Sequence, residues 1–228
     1  ICVVSAAYSL MSQDHERLKA MTALLTPAVV FASDSGPYGA ALDAIRDLHG
    51  GVEVVSRDTA GRGAPRFAEA RDAGAAGAVA EAFARVGPET TAKLLFTSGS
   101  TGAPKAVINT HRMLTSNQEA NREIWTVLKS KPPVIVDWLP WSHTFGGNFC
   151  THMELRNGGT MFIDDGRPAP PLIGRTVENY RLARPTIALN VPRGFAMLAD
   201  ALEADSAFRE RFFGVDFAMN AAAALPPG

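Results

Sequence analysis

The sequence predicts an α/β fold of layered, parallel-rich sheets flanked by helices, on three observations. Short apolar runs rich in β-branched residues recur along the chain, stretches with helical spacing of apolar residues separate them, and glycine, proline and asparagine punctuate the joins. Repeated strand–helix–strand units favour parallel pairing with helices on the sheet faces. The 228 residues suffice for one large domain or two small ones. With 46% hydrophobic and 20% charged residues, the chain can bury a core without metal or disulfide staples. A total of 22 Lys and Arg against 23 Asp and Glu leaves a net charge of -1. That excludes a bulk electrostatic case for nucleic acid or an anionic membrane. No apolar stretch approaches the roughly 20 residues of a membrane span. Cys2 and Cys150 stand outside any metal-ligand spacing and read as ordinary thiols of a reducing, cytoplasmic compartment.

In chain order, residues 2–4 read as a short strand. Ser12 is placed to cap a helix through Leu18, Met21 and Leu25, whose spacing makes one apolar stripe. A strand over 28–32, a helix over 39–48 and a strand over 52–55 follow. From 56 to 77, Gly61, Gly63 and Pro65 mark a surface excursion. A helix over 78–86 then carries Phe83 on its apolar side. Residues 92–96 form a buried strand that runs into a glycine- and hydroxyl-rich loop. The next strand, 106–109, leads to a helix over 113–128, with His111 at its entry. A strand over 134–136 opens onto a polar-aromatic loop from Leu139 to Gly147, and helical residues to about Leu155 end at Asn157-Gly158-Gly159. The remainder reads as a strand at 160–163 and a proline-rich connection at 164–171, in which Asp164 and Asp165 sit on a solvated turn. A helix at 172–182, a strand at 187–189, a helix at 195–202 and a last strand at 215–219 complete the chain. Both ends fall within apolar text, so a piece of a longer protein is expected.

The most informative segment is Thr97-Ser98-Gly99-Ser100-Thr101-Gly102-Ala103-Pro104-Lys105. Gly99 and Gly102 admit conformations that gather backbone N–H groups into an anion nest. Ser98, Ser100 and Thr101 add hydroxyl donors, and Lys105 adds positive charge. Between two strands, such a loop is suited to clasp a polyphosphate, and Thr97 to offer an oxygen to Mg2+. A Walker loop is excluded, because Lys105 follows Pro104 and precedes Ala106. A nucleophile elbow is excluded, because Ser100 lacks the pair of glycines two residues before and after it. A plain Gly/Ser turn is the alternative reading.

This nine-residue string, the residues 106–111 that follow it and the stretch 136–148 resemble the adenylate-forming synthetases, the AMP-binding acyl- and aryl-CoA ligases. Residues 5–10, 156–170 and 224–227 are most similar to the feruloyl-CoA synthase branch. The resemblance implies part of the large N-terminal domain of such an enzyme. It also implies a reaction in which a carboxylic acid and MgATP give an acyl adenylate and pyrophosphate, after which CoA gives a thioester and AMP. The implied substrates are a small aromatic carboxylic acid such as ferulate, ATP and CoA.

Residue by residue, the resemblance assigns Thr97 through Gly102 to the β- and γ-phosphates, Thr97 to Mg2+, and Lys105 to the phosphate charge. It places His143 beside the substrate carboxylate in an orienting or electrostatic role. Trp141 and Phe145 either wall a flat acid or pack the core, while Gly146 permits close approach. Asn190 either hydrogen-bonds a ring substituent or caps its loop. Ala221, Ala222 and Ala223 fall at the adenine-side loop. Ala222 stands where the pattern has glycine, so its methyl either crowds the backbone or forces an unfavourable φ. The pattern's later acidic segment, its ribose-binding Asp and the small C-terminal domain have no counterpart in these residues, so the isolated chain is expected to lack turnover. Two other readings stand beside this one: a non-catalytic nucleotide-binding or structural fragment, and an adenylating enzyme that loads a carrier protein.

Overall fold

The computed structural model describes residues 1–74, 76–97 and 104–224. The chain forms two compact units, Ile1–Asn109 and Thr110–Gly228.

In the first unit, α1 (Ala6–Ser9) precedes α2 (Glu16–Leu25), which buries Leu18 and Met21 as their spacing predicts. Ser12 acts one step earlier than expected: its Oγ accepts the His15 N–H at 3.0 Å and closes the turn before the helix. β1 (Val29–Asp34) and β2 (Val52–Arg57) pair in parallel, Val29 opposite Val52 and Asp34 opposite Arg57. Between them runs α3 (Ser35–Ile45), which begins before the expected residue 39 because the Asp34 carboxylate accepts the Gly36 N–H at 3.1 Å. Its Leu42 packs with Ala32 and Val55, and its Ala41 and Ile45 with Leu18.

Two expectations fail here, the strand at 2–4 and the packing of Phe83. Residues 2–4 form no strand, only a single bridge between Cys2 and Leu94. The stretch 56–77 stays at the surface as expected, with none of its described residues buried, and side chains pin it there. Asp58 accepts the N–H groups of Arg62 and Gly63 at 3.0 and 2.9 Å, Arg62 pairs with Asp43 and Glu53, and α4 (Phe67–Asp72) follows. On α5 (Ala76–Ala84), Phe83 is 77% exposed rather than packed, and no residue of that helix is buried. β3 (Thr91–Thr97) and β4 (Lys105–Thr110) are hydrogen-bonded neighbours, with Leu95 buried.

The second unit opens with α6 (His111–Ile124), whose cap is the Thr110 hydroxyl, and the short α7 (Val127–Ser130). The single helix expected over 113–128 breaks at Trp125, whose ring leaves the helical path to pack on Phe149 and Phe217. β5 (Val134–Asp137) is followed by a π-helical turn, Phe145–Cys150, and by α8 (Thr151–Asn157), which ends at left-handed Gly158. β6 (Thr160–Ile163) pairs in parallel with β5. After α9 (Ile173–Ala183), β7 (Ile187–Asn190) pairs in parallel with β8 (Phe217–Asn220). Between β7 and β8 run α10 (Pro192–Ala204), which starts earlier than expected because Pro192 suits the first helical position, and the unanticipated α11 (Ser206–Phe212). Thr186 joins the two strand pairs: its N–H donates to the Val134 carbonyl at 2.8 Å, and its Oγ1 accepts the Val134 N–H at 2.9 Å.

Alternate strand residues serve two cores. Ile135, Ile187 and Leu189 point into one, with Leu139, Phe145, Cys150 and Met153; Val136 and Ala188 point into the other, with Val177, Tyr180, Leu198 and Phe208. Burial on both faces is what parallel strands require. Asp164 does not sit on a solvated turn. It is 7% exposed and accepts from Gly166, Thr176 and Asn179 at 2.8, 2.6 and 2.7 Å. Asp165 is exposed and pairs with Arg175. Among the described residues, no helix is long and apolar enough to cross a membrane, and both cysteines are free thiols.

Candidate functional site

Thr97 ends β3 and Lys105 opens β4, so these two exposed residues bracket the hydroxyl-glycine loop at the ends of neighbouring strands. Ser98, Gly99, Ser100, Thr101 and Gly102 lie outside the described residues. The Thr97 hydroxyl is a hard oxygen donor of the kind Mg2+ takes, but it is a single one. Among the described residues, no group of three or more His, Cys, Asp or Glu is arranged to hold a metal ion. Such an ion would draw the rest of its shell from phosphate oxygens and water.

The other candidates belong to the second unit and gather at the C-terminal ends of its strands, the edge where open parallel sheets bind ligands. After β5 the chain turns sharply: the Leu139 N–H donates to Asp137 Oδ1 at 3.0 Å and the His143 N–H to the Pro140 carbonyl at 3.0 Å. His143 is exposed. Its Nδ1 accepts the Phe145 N–H at 3.2 Å, which places the proton of the neutral ring on Nε2. Trp141, on the same turn, is 43% exposed, whereas Phe145 is buried in the core and packs against Phe149 with ring centroids 5.7 Å apart. The two aromatic candidates therefore part company, Trp141 to the surface of the turn and Phe145 beneath it. The glycines after them let the π-helical turn lie against this loop. A Cβ on Gly146 would meet the Leu139 and Pro140 carbonyls at 2.8 and 2.9 Å, and one on Gly147 would strike the Trp141 carbonyl. Their close approach is to the chain's own backbone.

Asn190, at the end of β7, is 1% exposed. Its Oδ1 accepts Trp138 Nε1–H at 3.2 Å and the Val191 N–H at 2.9 Å, and a Cβ at Gly194 would fall on its amide. Asn190 thus fastens the loop after β5 to the start of α10. The Ala221 N–H donates to the Asn190 carbonyl at 3.1 Å, bringing the start of the alanine loop to the same place. Asn220 Nδ2 holds the Ala223 carbonyl at 2.5 Å. Between them, Ala222 takes φ 77°, in the left-handed region that favours glycine.

Sequence reasoning passed over the residues beneath this edge. Asp137 is 4% exposed; burial, joined by repulsion from Asp164, pushes its carboxyl up to about 6. Glu154 of α8 is 5% exposed, and neither of its buried oxygens has a hydrogen-bond partner. Burial, with the Asp137 charge adding to it, pushes Glu154 up to about 8. Burial likewise raises the Cys150 thiol and the Tyr180 hydroxyl. The available signals were an acid closing an apolar strand and an acid on the apolar side of a short helix, and neither is distinctive in one sequence.

The profile of the AMP-binding enzyme family matches residues 2–228. The long-chain-fatty-acid–CoA ligase heimdall of Drosophila melanogaster is 31% identical over 123 residues, which is 54% of this chain and 18% of that protein. The 4-coumarate–CoA ligase 3 of Oryza sativa subsp. japonica is 36% identical over 115 residues, 50% of this chain and 20% of that protein. The ATP-bound crystal structure of MatB from Rhodopseudomonas palustris superposes with a TM-score of 0.67 at 22% identity, over 97% of this chain and 39% of that one, so the α/β fold is shared with part of it. The chain thus spans about a fifth of the curated relatives' length. Matched by that profile over residues 2–228, this chain belongs to the AMP-binding enzyme family.

Proposed function

We propose that this chain is part of the large N-terminal domain of an ATP-dependent acid–thiol ligase, which converts a carboxylic acid to its adenylate with release of pyrophosphate and then passes the acyl group to CoA. The observation that carries the reading is the family match from residue 2 to residue 228, which takes in both the Thr97–Lys105 loop and the His143 turn. A carboxylate resists attack by a thiol, whereas its mixed anhydride with AMP carries a good leaving group. The substrate carboxylate is itself the nucleophile in the first step, so the protein's task is positioning and charge stabilisation. In this reading Thr97 through Gly102 wrap the β- and γ-phosphates and Lys105 offsets the charge that builds on departing pyrophosphate. His143 presents Nε2–H to the carboxylate. Trp141 lines the acid, with Phe145, Gly146 and Asn190 shaping the wall behind it, and Ala221 to Ala223 border the adenine. Thr97 would hold Mg2+ together with the nucleotide phosphates, and the ion would supply neutralisation of the polyphosphate.

The acid we propose is small and aromatic, ferulate being the representative. Its support is the likeness of residues 156–170 to the feruloyl-CoA branch, the exposed Trp141 face, and the identity with an enzyme named for 4-coumarate. The free thiols of Cys2 and Cys150 support a cytoplasmic setting. The test is acid-dependent ATP–pyrophosphate exchange by the polypeptide that contains this chain, followed by CoA-dependent thioester formation. Exchange with ferulate is expected. Exchange with long-chain fatty acids alone overturns the aromatic assignment, and exchange with no acid overturns the ligase reading.

A further inference from the structure

Three loops of the proposed site meet at one buried residue. Asn190 closes β7 and is 1% exposed. The Trp138 indole N–H reaches its side chain from the loop after β5 and the Val191 N–H from the entry to α10, while Ala221, after β8, donates to its backbone carbonyl. The two side-chain bonds decide which way the amide faces. The indole N–H and the backbone N–H can only donate, so each needs the carbonyl end of the amide. Both are served by the same atom, Oδ1, at 3.2 and 2.9 Å. Turning the amide over would set its NH2 group against two donors and lose both bonds. Gly194, which has no side chain to hold the helix off, lets the first turn of α10 press on the amide and keep it in place.

Oδ1 is thereby spent, and Nδ2 keeps two hydrogens. Among the described residues, none accepts a hydrogen bond from it. Capping the local chain requires only the bond from the Val191 N–H, made by the very next residue. Trp138 lies 52 residues away in sequence, and its bond adds orientation to the cap. A donor left idle on so buried a residue costs free energy, and a ligand that brings an acceptor to it recovers that cost. The amide stands at the C-terminal end of a parallel strand, and Trp138 belongs to the same loop as Trp141 and His143.

We propose that Trp138 is a positioning residue for acid selection: by occupying Asn190 Oδ1 it leaves Nδ2 to face the acid, so the site favours a ring that bears a hydrogen-bond acceptor. The chemical class is an aromatic acid with an ether, phenol or carbonyl oxygen on the ring. An alkyl substituent in that position leaves the Nδ2 hydrogens unpaired, and an unpaired polar group is a stronger ground for rejection than a poor fit. The acid's place beside Asn190 rests on the function proposed above; the hydrogen bond from Trp138 does not.

Two acids of one shape test the selection in ATP–pyrophosphate exchange by the polypeptide that contains this chain. Methoxycinnamate has an ether oxygen that accepts, ethylcinnamate has a methylene in its place, and each is used as its 3- and its 4-isomer. For at least one isomer the methoxy acid should be favoured in kcat/KM by about tenfold or more, chiefly through KM. Trp138→Phe keeps a ring against the core and removes the N–H; it should shrink that preference severalfold while the KM for ATP holds. In the 228-residue chain, the Trp138 indole hydrogen should exchange with solvent at least about tenfold more slowly than that of exposed Trp141, a comparison that needs neither variant nor turnover. Equal use of the methoxy and ethyl acids overturns the selection and leaves the ligase reading standing, whereas exchange with no acid overturns that reading and the selection with it. A preference that Trp138→Phe leaves intact, or indole hydrogens of Trp138 and Trp141 that exchange alike, overturns the role of Trp138.

Discussion

At the scale of single residues, Ala222 shows how a substitution in a loop is absorbed. An L-residue at φ 77° costs about 1 kcal/mol relative to glycine, partly offset by the greater freedom of glycine in the unfolded chain. Ala222→Gly is therefore expected to raise stability by roughly 0.5 kcal/mol in urea titration, with an unchanged denaturant slope. Lys105 is exposed, so Lys105→Ala should alter stability by less than about 0.5 kcal/mol. In the enzyme that contains this chain, the same change should lower adenylation by about 10²–10³-fold, as loss of one charge-stabilising donor does elsewhere; equal exchange rates would remove its role. Glu154 makes a prediction with a sign. Its folded carboxyl is raised above the ordinary value of 4.5 to about 8, so the folded form holds a proton that the unfolded chain releases. That contribution is fully present below 4.5 and is lost as pH rises through 8. Glu154→Met, of similar volume and without ionisable oxygens, should gain over wild type across this window by on the order of 2–4 kcal/mol, measured by denaturation at several pH values. Thr97 and Lys105 were singled out by a string with a chemical logic of its own, whereas His143 and the alanine loop were singled out only through the family resemblance. Asp137 and Glu154 were not, because only burial makes an isolated acid unusual, and burial is a property of the fold.

At the scale of elements, strands and crossover helices were largely readable, since apolar β-branched runs and helical stripes are local signals. The failures share a cause in side-chain capping and tertiary contact. Asp34 starts α3 early, and Trp125 breaks the helix that its neighbours' spacing extends. The π-helical turn was invisible as well, because its register depends on two glycines pressed against the Leu139–Trp141 backbone. Gly147→Ala tests that dependence. The added methyl collides with the Trp141 carbonyl, and a loss of about 1–3 kcal/mol is expected in thermal or urea unfolding, of the size found for overpacked cores. Glu154 and Cys150 follow this turn or close it, so its displacement also moves the carboxyl floor beneath the site.

At the scale of the whole molecule, each unit has its own apolar clusters. A core truncation should therefore register first in the unit that contains it. Ile135→Ala removes a fully buried side chain from the second unit, and Leu42→Ala removes one that is 3% exposed from the first; each should cost about 2–5 kcal/mol locally. The expected difference is that Ile135→Ala shifts the tryptophan-fluorescence transition and Leu42→Ala leaves it in place, with circular dichroism reporting both. All three tryptophans, Trp125, Trp138 and Trp141, fall in the second unit. Two of them pack on its core and Trp141 is 43% exposed on the turn that carries His143. A collisional quencher such as iodide will dim that one indole and spare its companions, and any molecule settling on the turn will shade it. The chain thus carries an optical gauge of occupancy that needs no label.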